Sequence, residues 1–312
     1  MKKIRHFINS EDFNKKEYLE ILRRMAIFDK HPEKAYGLAK GKVLASMFFK
    51  ESTRTSSAAQ AAMVRLGGGY IGISGTSGTY LAAGDEDFED FLFSFIQSAD
   101  IMVIRHNTLD LNKYRDRYEI PVINGLCAGH EHTLAGPIYF HELQKAGVDL
   151  NKLKIGLLGQ NKNCRPFKTM GKLVSLFGGV VYEDPVVDAL GTPKEIVDFI
   201  HRNGGQYIKA KLDTFIDKVD MLCIADGLPS TTEDPKLMEE YNKKFHTITL
   251  ADLKDFKGKI IMYMMPRAMT DGRLTVAKEV DSDPRVMNNT VSRTMMLASM
   301  AVFTFLLDIK VK

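Results

Sequence analysis

Lys42-Val43-Leu44-Ala45-Ser46-Met47-Phe48-Phe49 runs into Lys50-Glu51-Ser52-Thr53-Arg54-Thr55, an apolar run that turns polar within two residues. The first part reads as a strand buried on both faces, the pattern of a parallel sheet covered by helices. Thr53 to Leu66 then reads as a helix, so the stretch is the first half of a strand-helix-strand unit. The same alternation continues outward. Tyr70–Ser74, Ile101–Ile104 and Pro121–Asn124 read as strands, followed by a helix around Ile138–Lys145. The rhythm restarts with a strand at Lys154–Gly159, a helix at about Phe167–Phe177, and strands at Gly179–Tyr182, Met221–Ile224 and Ile260–Tyr263. Two such series predict an α/β fold of two doubly wound parallel-sheet domains, with the active site expected in the cleft between them. The division falls near residue 137, giving domains 1–137 and 138–288. The last helix, roughly 289–308, is long enough to return to the first domain, so 289–312 is assigned there.

Composition narrows the class. The 312 residues carry 43 Lys+Arg against 39 Asp+Glu, a formal net charge of +4, with 45% hydrophobic and 26% charged residues. These values describe a globular chain. No dense Lys/Arg block marks a nucleic-acid binder. The longest nearly apolar run, Met295–Leu307, is short of the roughly 20 residues a membrane span needs. The basic start, Met1 to His6, lacks the apolar core of a secretory signal. Cys127, Cys164 and Cys223 lie far apart without metal spacing, which fits free thiols in a reducing cytoplasm. Gly67-Gly68-Gly69, followed by Gly72, Gly75 and Gly78, leads into a small, acidic segment, Thr76–Asp90, in which little is expected to be buried.

The chemistry concentrates at Ser52-Thr53-Arg54-Thr55. Hydroxyls, a guanidinium and the free amides of a helix N-terminus are suited to a phosphate group. A Ser/Thr helix cap beside an exposed Arg has the same spacing, and the local pattern alone leaves both readings open. His106, His130 and His132 show no ligand spacing with carboxylates or cysteines, so no metal is expected. No G-x-G-x-x-G separates a strand from a helix, which disfavours dinucleotide chemistry.

Ser52-Thr53-Arg54-Thr55 resembles the carbamoyl-phosphate signature of the aspartate and ornithine carbamoyltransferases, and the likeness extends over roughly residues 42–310. Arg105-His106 resembles that family's next phosphate- and carbonyl-binding element. Asn124–Leu126 and His132-Thr133-Leu134-Ala135 fall where the family has its second loop and its His-Pro-x-Gln motif, with spacing favouring His132 over His130. Arg165 matches an Arg near the acceptor. Tyr263-Met264-Met265-Pro266-Arg267 resembles the segment that lines the carbamoyl group. The resemblance implies transfer of a carbamoyl group from carbamoyl phosphate to a small amino acceptor, with no cofactor, in a homotrimer or a multiple of one. It implies donor binding by Ser52, Thr53, Arg54, Thr55, Arg105, His132, Met265, Pro266 and Arg267, with Arg54, Arg105 and His132 catalytic.

Departures from the family bear on the acceptor. Gly84 stands where aspartate enzymes place a Lys, and Ala135 where the family has Gln. Asp226 occupies the place of the aspartate enzymes' carboxylate-binding Arg, and Ser230 follows at the spacing of the ornithine enzymes' Asp and Ser. Arg165, Asp226 and Ser230 are therefore the acceptor candidates, and an ornithine-like or other cationic amine is the expected acceptor. Met264, where ornithine enzymes carry Cys, speaks against strict ornithine specificity. The alternatives are an aspartate carbamoyltransferase of pyrimidine synthesis, or a non-catalytic paralogue that binds phosphate ligands or partner subunits.

Overall fold

The computed structural model describes residues 4–128, 131–227 and 234–312. In chain order its helices and strands are α1 (Lys15–Lys30), β1 (Val43–Phe48), α2 (Arg54–Arg65), β2 (Gly69–Ser74), α3 (Tyr80–Ala83), α4 (Phe88–Ile96), β3 (Ile101–Arg105), β4 (Val122–Asn124) and α5 (Ala135–Lys145). They continue with β5 (Lys154–Leu158), α6 (Arg165–Leu176), β6 (Val180–Asp184), α7 (Lys194–Arg202), β7 (Gln206–Lys209), α8 (Leu212–Phe215), β8 (Met221–Ile224), α9 (Pro235–Lys244), β9 (Ile260–Tyr263) and α10 (Val291–Leu306). The chain forms two compact units, residues 1–141 with 291–312, and residues 142–290.

The first unit is built on a four-stranded parallel sheet in the order β2-β1-β3-β4. Every residue of β1 after Val43 is buried, as expected of a central parallel strand covered on both faces. Ala45, Met47, Met102, Ile104 and Val122 pack with Phe91, Leu92 and Ile96 of α4. Helix α10 packs on α2 and α1 within the first unit. Asn14 starts α1 with a reciprocal cap: it accepts from the Glu17 amide at 3.1 Å, and Glu17 accepts from the Asn14 amide at 2.9 Å. Gly72 approaches β1 closely; at φ +143° a Cβ there would lie 2.1 Å from the Ser46 carbonyl oxygen.

The second unit carries a five-stranded parallel sheet in the order β7-β6-β5-β8-β9. Its core gathers Phe215, Leu222, Ile224, Tyr241, Phe245, Ile261 and Tyr263. The sequence pattern misses β7, an edge strand whose residues are half-buried to exposed and give no apolar run. The segment Thr76–Asp90 is not featureless. Thr79 accepts from the Ala82 amide to start α3, and Asp87 accepts from the Glu89 amide to start α4. Among the described residues, no helix is long and apolar enough to cross a membrane. All three cysteines are buried and free of disulfides.

Candidate active site

In each unit the chain order reverses at one place in the sheet. In the first, β1 continues through α2 to β2 on one side, while β3 lies on the other. Loops leaving the carboxyl ends of such strands diverge and leave a crevice, the usual ligand position in open α/β sheets. Phe48 of β1 is in register with Arg105 of β3, and the Phe49 amide donates to the Arg105 carbonyl at 2.9 Å. Ser52–Thr55, leaving β1, and Arg105, ending β3, therefore flank this point. Arg105 also contributes to holding the exposed Glu51 carboxylate below its usual range, after the residue's own amide and Lys50.

The turn itself favours the anion reading over the cap. Thr53 occupies the N-cap position but makes no side-chain capping bond. Ser56 Oγ donates to the Ser52 carbonyl, and Ser57 Oγ to the Thr53 carbonyl, so these hydroxyls serve the helix backbone. Ser52 Oγ is buried with no hydrogen-bond partner among the described residues. The opening N–H groups of α2 have no partner within the helix. Thr55 is buried, while Arg54 is exposed at the first helical position. The positive end of α2, a guanidinium and a free hydroxyl form a donor set for phosphate.

The third side of this edge is the loop after β4. Asn124 is in register with Ile104. Its side chain accepts from the Leu126 and Cys127 amides at 3.0 and 2.7 Å and donates to the Ile8 carbonyl at 3.1 Å. Asn124 thus shapes the loop. Thr133 Oγ1 lies 3.3 Å from the carbonyls of Phe7 and Asn124, and the buried Glu131 accepts from the amide and hydroxyl of Ser10. His132 is buried between these anchors, and its carbonyl accepts from Ala135 at 2.9 Å as α5 begins. His130 lies outside the described residues. His106 is turned to structure: its Nδ1 accepts from the Thr108 and Leu109 amides at 3.2 and 3.1 Å, and its ring meets Phe49 and Phe88. Burial lowers its pKa, which favours the neutral, accepting form. Gly84, at the end of α3, has a positive φ of 82° with open space around it. Ala135 is buried as the first residue of α5.

In the second unit the reversal lies between β5 and β8, where Leu158 is in register with Ile224. Gln160, just past β5, donates through Nε2 to the Asp226 carboxylate at 2.9 Å and to its backbone carbonyl at 3.1 Å. The sequence reading missed Gln160; its signal is a polar run, Gln160-Asn161-Lys162-Asn163, directly after a buried strand. Gly159 turns the chain with φ +107°, and a Cβ there would meet Tyr241 Oη at 2.7 Å. Arg165 is the half-buried first residue of α6. Burial, then the nearby Asp226 carboxylate, push the Cys164 thiol well above its ordinary range, so it stays protonated at neutral pH. Arg165 and Asp226 thus both belong to this switch point, while Ser230 lies outside the described residues.

The segment after β9 carries Met265, Pro266 and Arg267, the residues expected on the donor side. Met265-Pro266 is a cis peptide and Met265 is exposed. Arg267 makes paired bonds to Asp281 at 2.6 and 2.7 Å, and its guanidinium stacks on Tyr263. Tyr263 also donates to Asp281, and burial followed by that carboxylate pushes its pKa up to about 12. The Arg267 side chain therefore braces this segment, a role set by a partner 14 positions along the chain.

Fold and donor set together define an α/β protein with hydrogen-bond donors gathered at one edge of its first sheet. Residues 5–135 match the family model described as the aspartate/ornithine carbamoyltransferase carbamoyl-P binding domain. The catalytic subunit of aspartate carbamoyltransferase from Methanothrix thermoacetophila is 31% identical over 276 residues, covering 86% of this chain and 88% of that one. The corresponding subunit from Dichelobacter nodosus is 24% identical over 324 residues, covering 97% and 90%. Among solved structures, the catalytic subunit of M. jannaschii aspartate transcarbamoylase aligns with a TM-score of 0.83 at 25% identity, covering 98% of each chain. The chain belongs to the aspartate/ornithine carbamoyltransferase family and is a carbamoyltransferase. The ornithine-like preference read from Asp226 and Ser230 finds no support in these relatives; the aspartate alternative fits them better.

Proposed function

We propose that the protein transfers the carbamoyl group of carbamoyl phosphate to the α-amino group of a small amino acid, with L-aspartate as the acceptor. The observation that carries this reading is the convergence of Ser52–Thr55 and Arg105 at the reversal point of the first sheet, with the uncapped start of α2 between them. Ser52, Thr53, Arg54 and Thr55 bind the phosphate, whose departure they favour by holding its charge. Arg105 and His132 donate to the carbamoyl oxygen as the neutral amine attacks the carbonyl carbon. A nitrogen–carbon bond forms, the bond from carbon to the phosphate oxygen breaks, and the proton given up by the amine passes to the departing phosphate. Met265 and Pro266 line the carbamoyl group. Arg165 holds an acceptor carboxylate, and Ser230 belongs to the same acceptor set.

A homotrimer in the cytoplasm completes the reading. The assembly is supported by large exposed apolar side chains in the first unit, Val64, Tyr70, Tyr80 and Phe93, and by the edge position of β2.

The test is phosphate release from carbamoyl phosphate with L-aspartate or L-ornithine, with the carbamoylated product identified by mass. Higher kcat/KM for aspartate is expected. Asp226 is a like charge beside an acceptor dicarboxylate and weakens its binding. Asp226→Asn is therefore expected to lower the aspartate KM by roughly fivefold, corresponding to about 1 kcal/mol of repulsion. Preference for ornithine, reduced by Asp226→Asn, overturns the choice of acceptor.

A further inference from the structure

We propose that Glu183 is a positioning residue for the acceptor side: acting through Asn161, it sets the turn from which Arg165 projects. The inference rests on the proposed role of Arg165.

Glu183, the penultimate residue of β6, is fully buried. One carboxylate oxygen receives Asn161 Nδ2 at 2.6 Å, the Thr192 amide at 2.7 Å and Thr192 Oγ1 at 3.0 Å. The other receives the Tyr207 hydroxyl. Asn161 is itself buried, and its Oδ1 has no partner among the described residues, so the bond to Glu183 orients this amide. The Asn161 carbonyl accepts from the Cys164 amide at 3.2 Å, closing a turn. The Cys164 carbonyl then accepts from Phe167 at 3.0 Å and opens α6, whose first residue is Arg165. A second tie, from the Lys162 amide to the Leu190 carbonyl at 2.9 Å, joins this loop to the segment that Glu183 holds through Thr192.

Stability alone is a weak reason for such a group. Burying a carboxylate carries a desolvation cost that its partners only partly return, and well-packed apolar residues often serve as well. Burial indeed raises the Glu183 pKa despite its donors. What four fixed donors supply is a single geometry. A guanidinium that must meet a substrate carboxylate needs that, since small misplacement is costly.

The experiment measures KM and kcat for L-aspartate and for carbamoyl phosphate, with Tm, in the full-length protein. Arg165→Ala should raise the aspartate KM. Asn161→Ala should raise it by up to about 10²-fold while leaving the carbamoyl phosphate KM unchanged. Glu183→Leu should match it, and Glu183→Gln, which keeps an accepting oxygen, should restore most of the affinity. Phe215→Leu, a core change in the same unit, should lower Tm without moving either KM. In an Arg165→Ala background, Asn161→Ala should add little. If Asn161→Ala lowers Tm as Phe215→Leu does but leaves the aspartate KM alone, the positioning role is overturned. An equal KM increase with and without Arg165 also overturns it. If Arg165→Ala does not change the aspartate KM, the acceptor role of Arg165 falls, and this proposal with it.

Discussion

In the reaction proposed above, Arg54 and His132 act on opposite ends of the same anion: one meets the leaving phosphate, the other the carbonyl oxygen on which charge develops. Asn124, Glu131 and Thr133 bind the loop around His132 to the N-terminal segment. Losing one preorganised donor typically costs about 10²–10³ in turnover. His132→Ala is expected to show that loss in steady-state phosphate release, and full turnover would remove His132 from the mechanism. Individual residues were legible where their partners are local. Ser52–Thr55 stands out because strand, turn and helix follow one another within a few positions. The side-chain partners of Arg267 and His106 are not legible for the converse reason. The partner that claims Arg267 is Asp281, and the ring neighbours of His106 are Phe49 and Phe88, all distant in sequence.

At the scale of elements, buried strands announce themselves and exposed ones do not. β1, β3, β5, β8 and β9 are apolar runs covered by helices. β7 is polar and sits on an edge, so only its pairing with β6 defines it. The N-terminal segment beside β4 was likewise invisible to pattern. The Phe7 amide donates to the Val122 carbonyl at 2.8 Å, its carbonyl accepts from the Asn124 amide at 3.0 Å, and His6 Nδ1 accepts from the Val122 amide at 3.2 Å. Burial above all, then Arg115, lowers the His6 pKa to about 4. A histidine held neutral in the fold favours the folded state above its unfolded pKa of about 6.5, and that contribution is lost as pH falls towards 4. A drop on the order of 2–3 kcal/mol in unfolding free energy follows over this window. Urea unfolding at pH 7 and pH 4.5 is expected to show a smaller drop in His6→Gln than in wild type; equal drops exclude His6 as the cause.

At the scale of the molecule, both sheets reverse their strand order beside the loops that carry the candidate residues, between β1 and β3 and between β5 and β8. Parallel α/β architecture and the two-unit plan follow from the repeated strand-helix rhythm. The acceptor does not, because one sequence shows Asp226 but not the Gln160 amide that engages it. The departures at Gly84 and Ala135 make donor binding the point on which everything else depends. The most direct measurement is calorimetric titration of carbamoyl phosphate, with inorganic phosphate alongside, into wild type and Arg54→Ala. Removing a charged donor should cost about 1.5–3 kcal/mol, at least a tenfold loss of affinity. Saturable binding by wild type, weakened to that extent in Arg54→Ala, is the predicted result. Equal affinity in the two proteins would contradict a phosphate site at Ser52–Thr55.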